Sequence, residues 1–413
     1  MSRNNQKIPA GWSVKKLGEL ANHVKYGIVD GPFGSNLKTE HYRDSGIPVI
    51  QSGFVTSQKF YAEKYLYVDN ELFQKEKRSA THGNDIIMAK IGAHAGTAAI
   101  LPKNHPESIL AGNCLKITIN PTQASNRFIL LTLHTKYNKD AFIDIKSTTA
   151  QPAISMENLK KLKVLLPPLP EQEKIAEILG TWDVAIEKLS GLIEQKKLLK
   201  KGLMQRLLTG KTRLPGFSQP WKEVKLGEIC KLETTTSKSA FIDENGKYYI
   251  IDMGAVSMEG TLISSKRTNT CEDLLKINDI VMPKDDIGGG NIIGKTAIIK
   301  QENTYILSDH VFKLNIHDSD SNFISYLVNS YGYNKYMRRM SCGSAILGLS
   351  KKDVEKCLLN IPSDISEQQA IADVLSTADD EINLLNQKLE AIKEQKKGLM
   401  QQLLTGQIRV KVN

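Results

Sequence analysis

KGLMQRLLTG, from Lys201 to Gly210, returns as KGLMQQLLTG, from Lys397 to Gly406, with one residue changed in ten. The two stretches lie 196 residues apart, and the same offset relates many residues of 171–189 to residues of 367–385. A repeat of this length in a chain of 413 residues indicates two copies of one unit, each a globular domain followed by a helix. Two similar modules at a fixed separation suggest a protein that recognises a target with two parts.

The end of each copy has the spacing of a long helix. Apolar residues recur there at alternating steps of three and four positions, and lysines interrupt the series at positions 196, 200 and 396. A stripe that lasts more than four heptads favours a coiled-coil seam, with two unconnected bundle helices as the alternative. We therefore expect two helices over 171–208 and 367–404, each roughly 57 Å long, paired antiparallel with one globular domain at each end.

The globular part of each copy has the pattern of a mixed α+β domain. Short β-branched runs bounded by Gly, Asn and Asp predict strands and turns, and they occur in the same order in both halves. One further matched run in each half looks helical. The matched runs are IPVIQSG (47–53) with YYIIDMG (248–254), NDIIMAK (84–90) with NDIVMPK (278–284), GTAAIL (96–101) with GKTAII (294–299), and the helical FILLTL (128–133) with FISYLV (323–328).

The net charge of +10 favours a polyanionic partner. It arises in residues 1–209, where 29 Lys and Arg stand against 19 Asp and Glu, whereas residues 210–413 are neutral. Such charge also serves solubility, so it supports a nucleic-acid partner only together with the repeat. No apolar run approaches the roughly 18 residues of a membrane span, and the first residues show no signal segment, so we expect a cytoplasmic protein without a membrane partner.

Motifs for catalysis and metal binding are weak in this sequence. Five cysteines without a CxxC and eight histidines without ligand spacing predict reduced thiols and no metal site. GGNIIGKT (Gly289–Thr296) matches the phosphate-binding P-loop, but the following AIIKQENTYIL reads as strand, turn and strand instead of the required helix. We therefore expect neither a nucleotide site nor catalytic residues in this chain.

A set of short motifs extends the duplicated order to the whole chain. These motifs are DGPFGSNLK (Asp30–Lys38), the half-openings IPAGW and LPGFSQPW, PPLPEQEKIAEIL (Pro167–Leu179), and the two LLTG helix ends with their KTRLPGF and QIRV tails. Together they resemble the DNA-specificity (S) subunit of type I restriction–modification enzymes. The second half departs from the family pattern, because DGPFGSNLK has no clear counterpart there and IPSDIS replaces PPLPE.

The resemblance implies an α+β fold in which two similar target-recognition domains are joined by two long antiparallel coiled-coil helices, with an internal pseudo-two-fold repeat. The expected divisions are a first target-recognition domain (1–167), a central long helix (168–210), a second target-recognition domain (211–363) and a C-terminal long helix (364–413). The resemblance also implies a non-catalytic subunit that binds double-stranded DNA, with one half-site per domain and a spacer set by the helices. Two methyltransferase (M) subunits and two restriction (R) subunits would be its partners, and S-adenosylmethionine, ATP and Mg would belong to them, with no cofactor in this chain.

Polar residues in loops beside the repeated strands are the candidates for DNA contact, because base edges are read by a few side chains on loops or helix tips. A solvated turn residue is the alternative for each of them. A coiled-coil scaffold that binds only proteins is the alternative for the whole chain. The DNA-binding candidates are Tyr26, Ser35, Asn36, Lys38, Lys90, His94, Ser237, Lys238, Lys284 and Asn291, and the partner-binding candidates, on outward helix faces, are Glu187, Lys188, Lys388 and Lys393.

Overall fold

A computed structural model describes residues 8–21, 23–32, 34, 36–138, 142, 151–344 and 346–412. The chain forms two compact units, one made of Met1–Lys188 with Leu389–Asn413 and the other of Leu189–Lys388. Each long helix is therefore divided between the two units. The boundaries expected at 168, 211 and 364 stay a prediction.

The first unit contains two four-stranded sheets. Its strands are β1 (Ser13–Lys16), β2 (Ile28–Asp30), β3 (Ile47–Ile50), β4 (Leu66–Val68), β5 (Ala80–Thr81), β6 (Ile86–Ala89), β7 (Ala98–Ile100), β8 (Ser108–Leu110), β9 (Cys114–Ile117) and β10 (Lys163–Leu166). Its helices are α1 (Leu17–Leu20), α2 (Asn70–Lys75), α3 (Asn126–Asn138), α4 (Met156–Lys161) and the start of α5 (Leu169–Leu207). One sheet has the antiparallel order β2-β9-β6-β7, the other has the order β4-β3-β8-β5 with β3 parallel to β8, and β1 pairs with β10.

The second unit repeats this topology. Its strands are β11 (Trp221–Lys225), β12 (Cys230–Glu233), β13 (Tyr248–Ile251), β14 (Arg267–Thr268), β15 (Ile280–Pro283), β16 (Asp285–Asp286), β17 (Ala297–Ile298), β18 (Tyr305–Leu307), β19 (Val311–Ile316), β20 (Leu347–Gly348) and β21 (Leu358–Pro362). Its helices are α6 (Leu226–Ile229), α7 (Ser321–Asn329), α8 (Tyr331–Met340), α9 (Lys351–Glu355) and the start of α10 (Ile365–Leu404). The sheet β12-β19-β15-β17 matches β2-β9-β6-β7, β14-β13-β18 matches β4-β3-β8 with the same parallel pair, and β11-β21 matches β1-β10.

The matched runs of the sequence form equivalent elements, so the predicted α+β repeat is confirmed. NDIIMAK contains β6 and NDIVMPK contains β15, and both strands are buried along their whole length. Continuous apolar character fits these positions, because each strand is an inner strand of its sheet and is covered on both faces. FILLTL lies in α3 and FISYLV in α7, as predicted.

The two long helices have 39 and 40 residues, close to the 38 expected from the stripe. In the first unit, the start of α5 and the end of α10 share one core with the sheet β2-β9-β6-β7, to which they contribute Ile175, Leu179 and Leu403. The Asp183 carboxylate of α5 accepts a hydrogen bond from Lys396 of α10 at 2.6 Å. Within the described ranges, no helix has both the length and the apolar character needed to cross a membrane.

The second unit has the same arrangement with the helices exchanged. The end of α5 and the start of α10 contribute Leu207 and Ile371 to a core that also contains strands β15 and β19. Lys200 of α5 lies 2.5 Å from Asp379 of α10, so residue numbers fall along α10 as they rise along α5. The helix segments of each unit are therefore antiparallel, as the repeated stripe predicted.

Candidate nucleic-acid interface

One edge of the main sheet in the first unit holds several predicted DNA contacts. Lys90 directly follows β6, and its Nζ lies 2.5 Å from Oδ2 of Asp30, the last residue of β2. Arg78 lies 3.7 Å from the other oxygen of the same carboxylate. Asp30, the first residue of DGPFG, thus contacts Lys90, the last residue of NDIIMAK. Two cationic side chains, Lys90 and Arg78, lie beside its carboxylate at this edge.

The backbone around Lys90 recurs around Lys284 in the second unit. The Lys90 amide donates to the Asn113 carbonyl at 2.8 Å, and the Lys284 amide donates to the His310 carbonyl at 2.9 Å. The lysine carbonyls accept from Ile154 and Leu349, at 2.8 and 2.7 Å. The matched hydrogen bonds resume at the glycine that follows each loop. The Gly96 amide donates to the Ala89 carbonyl, and the Gly294 amide donates to the Pro283 carbonyl.

Between these matched positions the two units have different loops. Residues 91–95, between NDIIMAK and GTAAIL, form the loop in the first unit, and residues 285–293, between NDIVMPK and GKTAII, form it in the second. In the longer loop, the Asp286 carboxylate is 4% exposed and accepts from the amides of Gly288 (2.5 Å) and Ile292 (3.0 Å). This buried carboxylate braces the loop from inside, and the following Ile287 has 66% of its surface exposed.

A second carboxylate supports the base of the longer loop. Asp285 accepts from Lys284 at 2.8 Å and from His310 Nδ1 at 2.6 Å. Burial would raise the pKa of Asp285, but the hydrogen bonds from Lys284 and His310 outweigh it and hold that pKa below its usual value. The group is therefore an ionised carboxylate at neutral pH, and the Lys284 ammonium is neutralised locally.

The other first-half candidates differ in their surroundings. Tyr26 is 46% exposed but precedes β2, so it lies at the opposite end of that strand from Asp30. The Asn36 amide donates to Glu76 at 2.7 Å, whereas Lys38 is exposed and lies 3.7 Å from Glu40. His94 is exposed in the 91–95 loop, and Ser35 lies outside the described residues.

The second-half candidates include one correction. Lys238 was expected in an exposed loop, but its side chain is 2% exposed and its Nζ lies 2.8 Å from Asp273 and 3.5 Å from Glu272. A buried ammonium group that is already paired with two carboxylates is not available to a phosphate. The neighbouring Ser237 is exposed and pairs with Ser239, and the Asn291 amide donates to the Gly288 carbonyl at 2.7 Å, so it braces the loop.

The partner-binding candidates lie on exposed faces of the long helices. Glu187 pairs with Lys59 at 2.8 Å and Lys393 pairs with Glu390 at 2.7 Å, while Lys188 and Lys388 are exposed. Large apolar residues on these helices also lie outside the seam and remain exposed, and none of them was among the predicted partner-binding residues. In the sequence they are recognisable as apolar residues that do not belong to the stripe with steps of three and four: Val184, Leu192, Leu198, Leu199 and Leu384.

The P-loop match does not form a nucleotide site. Thr296 is followed by β17 and not by a helix, as predicted, and its hydroxyl lies 3.0 Å from Ser325 Oγ in the protein interior. Burial lowers the pKa of Lys295, whose Nζ lies 3.5 Å from the Asn329 carbonyl. Among the described residues, no group of His, Cys, Asp and Glu has the arrangement of a metal site.

The chain is similar to known proteins of one family over nearly its whole length. The profile of the family described as Type I restriction modification DNA specificity domain matches residues 9–195 and 218–394, once in each half. Two relatives from Methanocaldococcus jannaschii are similar over 98% of this chain and 95% of their own lengths. They are the putative type I restriction enzyme MjaX specificity subunit, at 27% identity, and the type I restriction enzyme MjaVIII specificity subunit, at 26%.

Solved structures share the fold. The S subunit of a type I restriction–modification system from M. genitalium has a TM-score of 0.62 at 17% identity, over 100% of this chain and 98% of that one. A chain from a study of assembly and conformational transition of the type I R-M system has a TM-score of 0.55 at 16% identity, over 97% of this chain and all of the other. With the family profile matched in both halves, this chain belongs to the type I restriction–modification DNA specificity family.

Proposed function

We propose that this chain recognises a bipartite DNA target, with one half-site read by each globular domain. Target recognition is the general role of the specificity family, whose members are the non-catalytic component of their complexes. The observation that carries the proposal is the pair of loops, 91–95 and 285–293, which leave one repeated sheet framework at matched backbone positions. Two copies with different loops are suited to reading two different short sequences.

The polar groups beside each loop supply the DNA contacts in this proposal. In the first half these are Lys90 and His94, with Asn36 and Lys38 on the segment that follows Asp30. The net charge of residues 1–209 supports this assignment, because lysine and arginine contacts to phosphates supply sequence-independent affinity. In the second half the same role falls to the loop that follows Lys284.

The long helices set the spacer between the half-sites in this proposal. Two DNA-reading modules on one face of a duplex lie about one helical turn apart, roughly 34 Å, and a stiff helical pair suits that spacing. Joining two weak readers also raises the effective concentration of the second once the first has bound.

The outward faces of the helices provide the sites for partner subunits. Glu187, Lys188, Lys388 and Lys393 supply charge there, and the exposed Leu198 and its apolar neighbours supply contact area. Exposed apolar residues grouped on a surface mark interaction sites in proteins. The proposed partners are two methyltransferase and two restriction subunits, which would bring S-adenosylmethionine, ATP and Mg.

The test is a loop exchange in the chain assembled with its methyltransferase subunits. Residues 285–293 are replaced by the IGAHA sequence of 91–95, and methylated adenines are mapped across the host genome. We expect the first half-site and the spacer to persist while the second half-site changes or is lost. A wild-type assembly without a sequence-specific methylation pattern, or without binding to duplex DNA at low salt, would favour the protein-binding scaffold.

A second experiment tests the spacer separately. Seven residues inserted after Gly191 and seven after Gln387, equivalent positions of the repeat, preserve the apolar stripe and add about 10 Å, roughly three base pairs. We expect a longer spacer between unchanged half-sites. Altered half-sites with an unchanged spacer would contradict the role of the helices.

A further inference from the structure

The last two turns of α8 carry a cluster of exposed positive charge that the proposed function does not use. Lys335, Arg338 and Arg339 are exposed, while Met337 on the same helix is fully buried. Their spacing of three and four residues puts the ammonium group and both guanidinium groups on the outward side of the helix. The helix is thus anchored by its apolar face and presents these cations to solvent.

This cluster adjoins the 285–293 loop. A Cβ atom built on Gly290 would lie 3.7 Å from Arg338 Nε and 3.0 Å from Leu347 Cδ1. Strand β16 of the loop pairs with β20 through Asp285–Gly348 and Asp286–Leu347, and Ile287 and Ile346 are the next residues of the two segments beyond that ladder. These two isoleucines are 66% and 49% exposed. The loop and the helix end therefore form one surface, with an aliphatic pair beside arginines.

The two carboxylates of the 285–293 loop are hydrogen-bonded within the protein. Asp286 is buried and accepts from two backbone amides, and Asp285 is paired with Lys284 and His310. Within the part of the chain that the structure describes, Arg338 and Arg339 have no carboxylate at ion-pair distance. The surface therefore presents a net positive charge, which complements a polyanion.

We propose that this surface reads the second half-site, with Arg338 and Arg339 bound to phosphates and the Ile287–Ile346 pair in contact with a thymine methyl group. The inference rests on the proposed function and names the residues that perform it in the second domain. Guanidinium groups bind phosphate oxygens through paired hydrogen bonds, and aliphatic side chains recognise the thymine C5-methyl in the major groove. Contact with DNA would remove these exposed isoleucines from water, which is favourable for apolar side chains.

The phosphate contacts are tested in the full chain assembled with its methyltransferase subunits. The Arg338→Ala/Arg339→Ala variant is compared with Lys222→Ala/Lys276→Ala, which removes two exposed positive charges elsewhere in the same unit. We expect roughly tenfold or greater loss of affinity and a decrease of about 1.8 in the magnitude of the log K against log salt slope, since each phosphate contact contributes about 0.9. Arg338→Lys/Arg339→Lys restores most of the slope, and equal slopes for both alanine pairs would overturn the assignment.

The base contact is tested with duplexes in which deoxyuridine replaces each thymine of the second half-site in turn. This change removes only a methyl group, so at one position we expect wild-type affinity to fall several-fold. The Ile287→Ala variant should bind the two duplexes at that position about equally. Uniform tolerance of deoxyuridine by the wild type would reject the thymine contact. Absence of any sequence-specific binding by the wild type would instead reject the proposed function itself.

Discussion

Lys200 Nζ lies 2.5 Å from Asp379 Oδ1, and the equivalent residues of the repeat, Lys396 and Asp183, lie 2.6 Å apart. Each pair joins α5 to α10 inside one unit, and each takes its lysine from one copy of the repeat and its aspartate from the other. The lysines that interrupt the apolar stripe are therefore ion-pair partners across the seam. A polar pair at one seam position favours a single register, because any shift leaves both charges without partners.

Breaking one of these pairs should destabilise its own unit. Asp379→Ala leaves the partly buried Lys200 without a carboxylate and also removes the acceptor of the Tyr326 hydroxyl, which donates at 2.7 Å. We expect a loss of roughly 2–4 kcal/mol in the free energy of unfolding, measured by urea denaturation. Lys197→Ala, which removes the exposed pair with Glu194, serves as the control and should change stability by less than about 0.5 kcal/mol.

A second duplicated contact follows each long helix. Arg213 donates to both oxygens of the fully buried Glu367, at 2.5 and 2.6 Å, and Arg409 does the same to Glu171. Arg213→Ala strands a buried carboxylate, so we expect about 3–5 kcal/mol of destabilisation by urea denaturation. Arg213→Lys keeps the charge without the paired geometry and should lose less. Equal stability of Arg213→Ala and wild type would show that this contact contributes nothing.

The two tryptophans that open the halves should respond differently to the same substitution. Trp12 Nε1 donates to Glu171 at 3.1 Å, whereas the buried Trp221 Nε1 has no hydrogen-bond partner among the described residues. Trp12→Phe therefore removes a charge-assisted hydrogen bond, worth roughly 1.5–3 kcal/mol, and Trp221→Phe removes none. Urea denaturation of both variants compares them, and a larger loss for Trp221→Phe would contradict the difference.

A partly buried histidine should make the first unit sensitive to mild acid. Burial lowers the pKa of His134, and this outweighs its hydrogen bond to the Ala98 carbonyl at 2.8 Å. A folded-state pKa below the unfolded value of 6.5 means that stability is present above pH 6.5 and is lost as pH falls through the folded pKa. Asn329 makes the equivalent contact in the second unit, with the Thr296 carbonyl at 2.8 Å.

Because asparagine occupies the equivalent position in the second unit, His134→Asn is the variant that tests this pH dependence. His134→Asn keeps a donor for the Ala98 carbonyl but does not titrate, so its thermal midpoint should fall less than that of the wild type between pH 7 and pH 5. The exposed His317→Asn controls for loss of a histidine. Identical pH profiles for His134→Asn and wild type would contradict the role of His134.

A chain that ends after one repeat should dimerise. A fragment of residues 1–216 lacks Asp379, the partner of Lys200, and Glu367, the partner of Arg213. A second copy of the fragment offers the equivalent carboxylates, Asp183 and Glu171. We expect twice the chain mass by sedimentation equilibrium. Lys200→Asp in this fragment sets like charges against each other and should weaken the dimer, and a monomeric parent fragment would contradict the prediction.

The sequence was sufficient where a pattern depends on local geometry. The stripe of residues in steps of three and four predicted both long helices to within a few residues of their ends, because helical periodicity is a property of neighbouring residues. The matched NDIIMAK and NDIVMPK runs likewise predicted β6 and β15. The segments between these runs and the next matched pair, residues 91–95 and 285–293, differ in length and sequence.

Individual site residues were harder to predict, because exposure and pairing depend on residues distant in sequence. Lys238 has the sequence context of a polar loop but is buried beside Asp273, some 35 positions away. Asn291 braces its own loop, and Arg338 adjoins Gly290 through the packing of α8 on the second domain. The cation cluster on α8 carried a detectable signal in its spacing, but nothing local tied it to the loop.

The amino-acid order alone determined that this protein has two copies of one α+β unit, each followed by a long helix, because duplicated motifs and helical periodicity are written along the chain. Only the tertiary structure decided which charges cancel internally and which remain for a partner. Lys200 and Lys238 each have carboxylates at ion-pair distance, whereas Arg338 and Arg339 have none among the described residues. The physical reason is that charge pairing acts over a few ångströms in space, and only folding brings distant carboxylates to that distance.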